Sequence, residues 1–243
     1  MARILITGSA AGLGHAAAAS LLDDGHDVVV HTRSTARLSA IGELLERGAK
    51  SVVGDLTDLE QVQQLAGQAN AFGPIDAVIH NAGIIDGPGL LPVNVVAPYL
   101  LTALVPAPRH LYLSSSMHHS GRADFTGVDW SGKRKTATYS DSKLFVTAMM
   151  AGIARQRPDM LSHAVDPGWV PTRMGGPTAT DDLALGHLTQ SWLATTDDPE
   201  ALVSGRYWHH RRTETPHPAV TDEHFQDELF EALASHTGVD LPL

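Results

Sequence analysis

The chain has 243 residues, of which 43% are hydrophobic and 18% charged, enough for one α/β domain with a sizeable core and too apolar for a disordered chain. With 17 Lys+Arg against 27 Asp+Glu, the formal net charge of −10 disfavours nucleic acid and anionic membrane as main partners. The absence of Cys excludes disulfides, thiolate metal sites and a cysteine nucleophile.

Short β-branched runs alternate with longer amphipathic ones. The first run, Ala2–Thr7, is closed at once by Gly8 and predicts a buried strand, not the apolar region of a secretory signal. Helical spacing follows over Leu13–Asp24, then a strand over Asp27–Thr32, a helix over Ala36–Arg47 and a strand over Ser51–Gly54. The alternation continues with Leu59–Ala71 (helix), Ile75–His80 (strand), Leu91–Val105 (helix) and His110–Ser115 (strand). Thr138–Arg157 (helix), Leu161–Val165 (strand), Ala179–Thr196 (helix), Gly205–Trp208 (strand) and Asp222–Ser235 (helix) complete it. The most apolar stretch, Val93 to Pro108, is interrupted by Asn94, Pro98 and Pro106 and is too short to span a bilayer. A soluble, cytoplasmic protein is expected. Strand runs that are apolar on both faces imply a parallel sheet covered by helices, so the fold class is α/β, doubly wound. No linker divides residues 1–243, and Gly175–Thr196 reads as a substrate flap.

Thr7-Gly8-Ser9-Ala10-Ala11-Gly12-Leu13-Gly14 lies between the first strand and first helix. Its glycines permit a tight turn and close approach of backbone N–H groups to a pyrophosphate at a helix N-terminus. The spacing differs from G-x-G-x-x-G, and an ordinary glycine turn is the plain alternative. His31-Thr32-Arg33-Ser34 ends the second strand where a ribose-binding carboxylate would stand in an NAD site. Arg33 cannot accept a hydrogen bond but can pair with a 2′-phosphate, which favours NADP over a merely solvated arginine. Asp55, with Leu56, follows the third strand and is placed either to accept from an adenine amino group or only to cap a helix. Asn81-Ala82-Gly83 follows the fourth strand, and its small residues allow a ribose to approach the backbone. Ser114-Ser115-Ser116 follows the fifth. Tyr139 and Lys143, at i and i+4, project from one helix face. An ammonium favours a phenolate, a Ser hydroxyl can polarise a carbonyl, and together they would protonate a carbonyl oxygen as hydride arrives at carbon. Taken alone, a Tyr-x3-Lys is as readily a surface coincidence.

The ordered set of Thr-Gly-x3-Gly-x-Gly, Asp55, Asn-Ala-Gly, Asn94, the serine cluster, Tyr-x3-Lys and Pro-Gly resembles the short-chain dehydrogenase/reductase family over nearly the whole chain. The 24-residue spacing from Ser115 to Tyr139 is longer than the family's common one. The insert with Gly121, Asp124, Phe125 and Trp130, and the His118-His119 pair before Gly121, resemble its retinol-dehydrogenase-like branch. The resemblance implies a Rossmann fold with a seven-stranded parallel sheet of order 3-2-1-4-5-6-7, and NADP(H) as hydride carrier. It implies Tyr139 as acid–base, Lys143 as the residue that binds the nicotinamide ribose and lowers the Tyr139 pKa, Ser115 as the substrate-orienting hydroxyl and Asn94 as the holder of a relay water. Gly8, Ser9, Ala11, Gly12, Leu13, Gly14, Arg33, Ser34, Asp55, Leu56, Asn81, Ala82 and Gly83 would line the cofactor. Pro167, Gly168 and Val170 would hold the carboxamide with Thr172 as hydroxyl partner. It also implies a homodimer or homotetramer through Leu91–Val105 and Thr138–Arg157.

The expected activity is NADP-dependent reduction of a ketone or aldehyde on a small apolar molecule. A catalytically silent NADP-binding regulator is the alternative in another class. A sugar-nucleotide epimerase or dehydratase is a third, disfavoured because only 76 residues follow Pro167. His118-His119 and His209-His210 are adjacent pairs, not the i, i+4 pairs of a helical metal site, so no metal is expected. Lys133-Arg134-Lys135 reads as a solvated loop, with a contact to an anionic substrate as the alternative. Trp130 and Trp169 are candidates for pocket walls, while simple packing accounts for Trp192 equally well.

Overall fold

The computed structural model describes residues 1–241. Its sheet contains β1 (Arg3–Ile6), β2 (Asp27–Thr32), β3 (Lys50–Val53), β4 (Ala77–His80), β5 (Arg109–Leu113), β6 (Leu161–Asp166), β7 (Arg206–His209) and β8 (Arg212–Glu214). The spatial order is β3-β2-β1-β4-β5-β6-β7-β8. Ile4 stands opposite Val28 on one side and Ala77 on the other, and all pairings are parallel except β7 with β8.

Successive strand side chains alternate between the two faces, so each strand feeds two cores. Leu5, Val29, Val52, Val78, Tyr112 and Ala164 face α3 (Leu59–Asn70), α4 (Ala97–Leu104), α5 (Tyr139–Gln156) and α7 (Glu223–Thr237). Ile4, Ile6, Val28, Val30, Leu111 and Val165 face α1 (Gly12–Asp23), α2 (Gly42–Glu46) and α6 (Leu183–Thr195). Asp58 caps α3 by accepting from Glu60 N at 3.0 Å and Gln61 N at 3.2 Å, so the capping alternative for Asp55 falls instead to its neighbour. Among the described residues, no helix is long and apolar enough to cross a membrane.

The sheet has eight strands where seven were expected. The extra strand, β8, is Arg-Thr-Glu, exposed at every position, so it carries no hydrophobic alternation. Its hairpin turn uses His210 and Arg211, both at positive φ (46° and 61°), where Asn-Gly would be the recognisable signal. The helix expected over Ala36–Arg47 divides into a 3-10 turn, Thr35–Ile41, and α2, with Gly42 at the junction. That expected over Leu91–Val105 opens with a π-helical turn, Pro92–Val96, and continues as α4. Pro98 has no N–H, so the Asn94 carbonyl lacks the donor a regular helix would give it. The flap helix begins at Leu183, not Ala179, because the Asp182 side chain caps it through Ala184 N at 2.6 Å.

The apolar patterns of α4 and α5 have an intramolecular explanation. Phe145 of α5 meets Phe125 and Trp130 of the insert at centroid distances of 5.0 and 5.7 Å, and Phe125 stacks on Phe225 of α7 at 4.6 Å. A Cβ on Gly152 would come within 2.6 Å of Phe230, so glycine is what lets α7 close against α5. Tyr99 of α4 donates to the Val239 carbonyl at 2.8 Å. The insert and the C-terminal segment thus pack against helices through which the resemblance implies a subunit contact.

Candidate active site

The sheet order reverses between β1 and β4, and in open α/β sheets the ligand crevice opens at that point beyond the strand C-termini. The glycine loop leaves β1 there. Thr7 N donates to Ile79 O at 3.0 Å, Ala82 N to Thr7 Oγ1 at 3.0 Å and Asn81 Nδ2 to Thr7 O at 2.8 Å. These bonds clamp the loop to Asn81-Ala82-Gly83. Gly8 lies at φ +70°, and a Cβ on it would sit 2.9 Å from Ala82 Cα; a Cβ on Gly14 would strike the Asn81 amide. The N-cap of α1 is Ala11, whose side chain cannot cap, and the first turn carries no acidic residue. Ser9 Oγ is turned inward, donating to Ile6 O at 2.5 Å.

Arg33 stands exposed at the end of β2, its Nε 4.0 Å from Asp55. Asp55 Oδ1 accepts from Thr57 N at 3.0 Å and Thr57 Oγ1 at 2.8 Å. Ser34 is the N-cap of the 3-10 turn beginning at Thr35. Leu56 sends its side chain into the α3 core, so only its main chain is left for a ligand. His31 has no evident role in the sequence, yet its imidazole joins the glycine loop to the end of β3. Nδ1 accepts from Gly8 N at 3.0 Å and Nε2 donates to Gly54 O at 2.8 Å, so burial holds the ring neutral and lowers its pKa.

A capping box, Thr138 Oγ1 accepting from Asp141 N and Asp141 Oδ2 from Thr138 N, starts α5 at Tyr139. Lys143, one turn on, is buried; its Nζ donates to Leu113 O at 2.6 Å and lies 5.4 Å from the Tyr139 ring centroid. The same Nζ is 3.7 Å from where a Gly83 Cβ would be. Ser114 is buried with its Oγ 2.6 Å from Thr147 Oγ1, and Ser116 is exposed. Ser115, half-buried between them, accepts from Met117 N at 3.2 Å, which leaves its own proton to donate.

Asn94 uses its whole side chain: Oδ1 accepts from Ile84 N and Nδ2 donates to Ile84 O, both at 2.9 Å, and Nδ2 donates to Ser142 Oγ at 3.0 Å. Ser142 in turn donates to Tyr139 O at 2.7 Å, tying the π-helical turn to the start of α5. A water held by Asn94 would therefore rest on its main-chain carbonyl.

Burial pushes the Tyr139 phenol up to about 12; the Asp166 charge adds to the rise and the Ser115 hydroxyl opposes it. The expected depression by Lys143 does not set this group. Burial instead pushes the Lys143 ammonium down to about 8, against an opposing pull from Asp166. Asp166, missed in the sequence, is the buried carboxylate behind both groups. It accepts from Gly168 N at 2.9 Å and from the Tyr207 hydroxyl at 3.1 Å.

Pro167, Gly168, Val170 and Thr172 form a loop over the crevice, with Asp181 accepting from Trp169 N at 2.6 Å. Thr172 Cγ2 is 3.3 Å from where a Gly12 Cβ would be, but its hydroxyl accepts from Gly175 N at 3.2 Å. Met174 Sδ lies 4.0 Å from the Tyr139 hydroxyl. Ile85, Met117, Trp169 and Met174, all large, apolar and exposed, lie close along the chain to Gly83, Ser115 and the loop carrying Gly168 and Thr172. Among the described residues, no group of three or more His, Asp or Glu is placed to hold a metal ion.

The profile of the short chain dehydrogenase family matches residues 2–183. The chain belongs to the short-chain dehydrogenase family. It is 34% identical to short-chain dehydrogenase chyC of Penicillium rubens over the full length of both. It is 30% identical to a proposed daunorubicin C-13 ketoreductase, DnrU, of a Streptomyces species, over 97% of this chain and 92% of the relative. Human retinol dehydrogenase 13 is 24% identical over 98% of this chain and 85% of its own. A solved blue fluorescent protein from a metagenomic library, in complex with NADPH, superposes with a TM-score of 0.71 at 23% identity, over 86% of this chain and 95% of its own. As a member of this family, the chain is an oxidoreductase acting on CH–OH and C=O groups.

Proposed function

We propose that the chain reduces the carbonyl group of a small apolar ketone or aldehyde, with NADPH as the reductant. The observation that carries the reading is the convergence of Ser115, Tyr139 and Lys143 beside Gly83, at the sheet edge that holds the glycine loop.

The residues fit a dinucleotide. Gly8 and Gly14 let the loop close on Asn81-Ala82, where a Cβ would clash, and α1 offers N–H groups without a competing side-chain cap. Gly8, Gly12, Leu13 and Gly14 would hold the pyrophosphate, Lys143 and Asn81-Ala82-Gly83 the nicotinamide ribose, and Arg33 the 2′-phosphate. Pro167, Gly168 and Val170 would hold the carboxamide. When bound, the reduced nicotinamide supplies hydride to the carbonyl carbon. Ser115 donates a hydrogen bond to the substrate oxygen and fixes its direction. Tyr139, held as a neutral phenol, gives its proton to that oxygen, and a phenol at about 12 is the form reduction requires. The Lys143 ammonium, still charged at neutral pH, offsets the negative charge left on the phenol oxygen.

Exposed Ile85, Met117, Trp169 and Met174 favour an apolar substrate, and the ketoreductase among the relatives favours a ketone. The test is loss of NADPH absorbance with a panel of aromatic aldehydes, aromatic ketones and free sugars. Turnover confined to the aromatic carbonyls supports the reading; turnover confined to sugars, or NADPH binding with no turnover on any of them, overturns it.

A further inference from the structure

The adjacent histidines before the insert have a use that no metal supplies. His118 is fully buried in the 3-10 turn Ser116–Ser120. Its main-chain N–H donates to the Ser115 carbonyl at 3.0 Å, and its ring Nδ1 reaches the same carbonyl at 2.7 Å. A carbonyl only accepts, so Nδ1 carries the proton. The other nitrogen, Nε2, accepts from His217 N–H at 3.0 Å, which is consistent with that tautomer alone. Both lone-pair positions of the Ser115 carbonyl are thereby filled by one residue. The ring packs on Tyr207 at 4.7 Å and His119 at 4.0 Å, and Tyr207 holds Asp166. His217 opens the Pro218–Thr221 turn that leads into α7.

We infer that His118 is a positioning residue, which fixes the peptide of Ser115 through its Nδ1–H and makes the C-terminal segment part of the support of the substrate-orienting hydroxyl. This rests on the role proposed above for Ser115. Rotation of that peptide would swing Ser115 Oγ away from a carbonyl bound at Tyr139, with little consequence for the glycine loop on the far side of the crevice. The ring stays neutral through the working range, because burial pushes it down to about 4; His119 and His217 add to the fall, and the Ser115 carbonyl and Asp166 oppose it.

The experiment compares His118→Asn, His118→Gln and His118→Phe with wild type and Ser115→Ala, in NADPH-dependent reduction of 4-nitrobenzaldehyde. An Asn amide can donate from the place of Nδ1, a Gln amide reaches only the place of Nε2, and Phe reaches neither. His118→Gln and His118→Phe are expected to lose roughly tenfold in kcat, the worth of one well-made buried hydrogen bond. His118→Asn should stay within about threefold of wild type, and the NADPH Kd should be unchanged in all three. Equal rates for the Asn and Gln variants, or an NADPH Kd that weakens in step with kcat, would overturn the inference. A fully active Ser115→Ala would instead sink the reading of Ser115 and this inference with it. An inactive Ser115→Ala beside a fully active His118→Gln would sink this inference alone. Imidazole nitrogen NMR gives a readout independent of turnover: His118 should be protonated on Nδ1 from pH 5 to 8, and protonation on Nε2 contradicts the geometry.

Discussion

Arg33 is the residue on which cofactor choice turns, and Arg33→Ala is the sharpest perturbation of it. The guanidinium is two-thirds exposed and, among the described residues, its only ion pair is with Asp55, at a marginal 4.0 Å. An exposed pair of that kind is worth at most about 1 kcal/mol, so little holds the arginine back from a ligand. Charge-assisted hydrogen bonds to a 2′-phosphate are worth about 1.5–3 kcal/mol, or one to two decades in Kd. Truncation also leaves the Asp55 carboxylate without its cation, which repels a phosphate but can accept from the 2′-hydroxyl of NADH. Arg33→Ala should therefore raise the NADPH Kd by roughly 10- to 100-fold and leave that of NADH within about threefold. Quenching of Trp169 fluorescence, or calorimetry, gives both constants on one preparation. An equal loss for NADPH and NADH would remove Arg33 from the 2′-phosphate.

Three further outcomes follow. Lys143 is protonated below about pH 8, so carbonyl reduction should be flat from pH 6 to 7.5 and fall as the ammonium deprotonates above about 8; Lys143→Arg, if active, should lose that fall, and a profile that rises through pH 8 contradicts the assignment. Burial lowers His110, His118 and His163 to about 3, about 4 and about 4, so they stay neutral when folded but charge near 6.5 when unfolded. Stability should thus drain away as pH falls from about 6.5 toward 4, by about 1.4 kcal/mol per histidine per pH unit, and a thermal midpoint equal at pH 7 and pH 5 would contradict it. Because the insert and α7 pack on α5, light scattering should give the 25.9 kDa mass of one chain, and a stable particle of twice that mass would show another pairing surface.

The doubly wound fold was legible because its strands are apolar on both faces and its helices carry periodicity. Tyr139 and Lys143 were legible because a helix puts i and i+4 on one side. What escaped was set by contacts between distant residues. His118 meets His217 across 99 positions, and neither position signals the other. Asp166 stands one residue past the strand expected over Leu161–Val165, and only the assembled site puts its charge behind Tyr139 and Lys143. The direction of the Tyr139 shift was misjudged for the same reason. Sequence reveals the neighbouring ammonium but not the burial that outweighs it. β8 escaped because an exposed three-residue edge strand has no core to pattern it.

The central claim is that Tyr139 protonates a carbonyl oxygen beside bound NADPH, and Tyr139→Phe tests it most directly. NADPH titration and aldehyde turnover are measured on the same sample. NADPH Kd should stay within about threefold of wild type, while turnover falls by a factor on the order of 10²–10⁴, the usual worth of a positioned acid. Turnover retained with binding intact would contradict the role given to Tyr139.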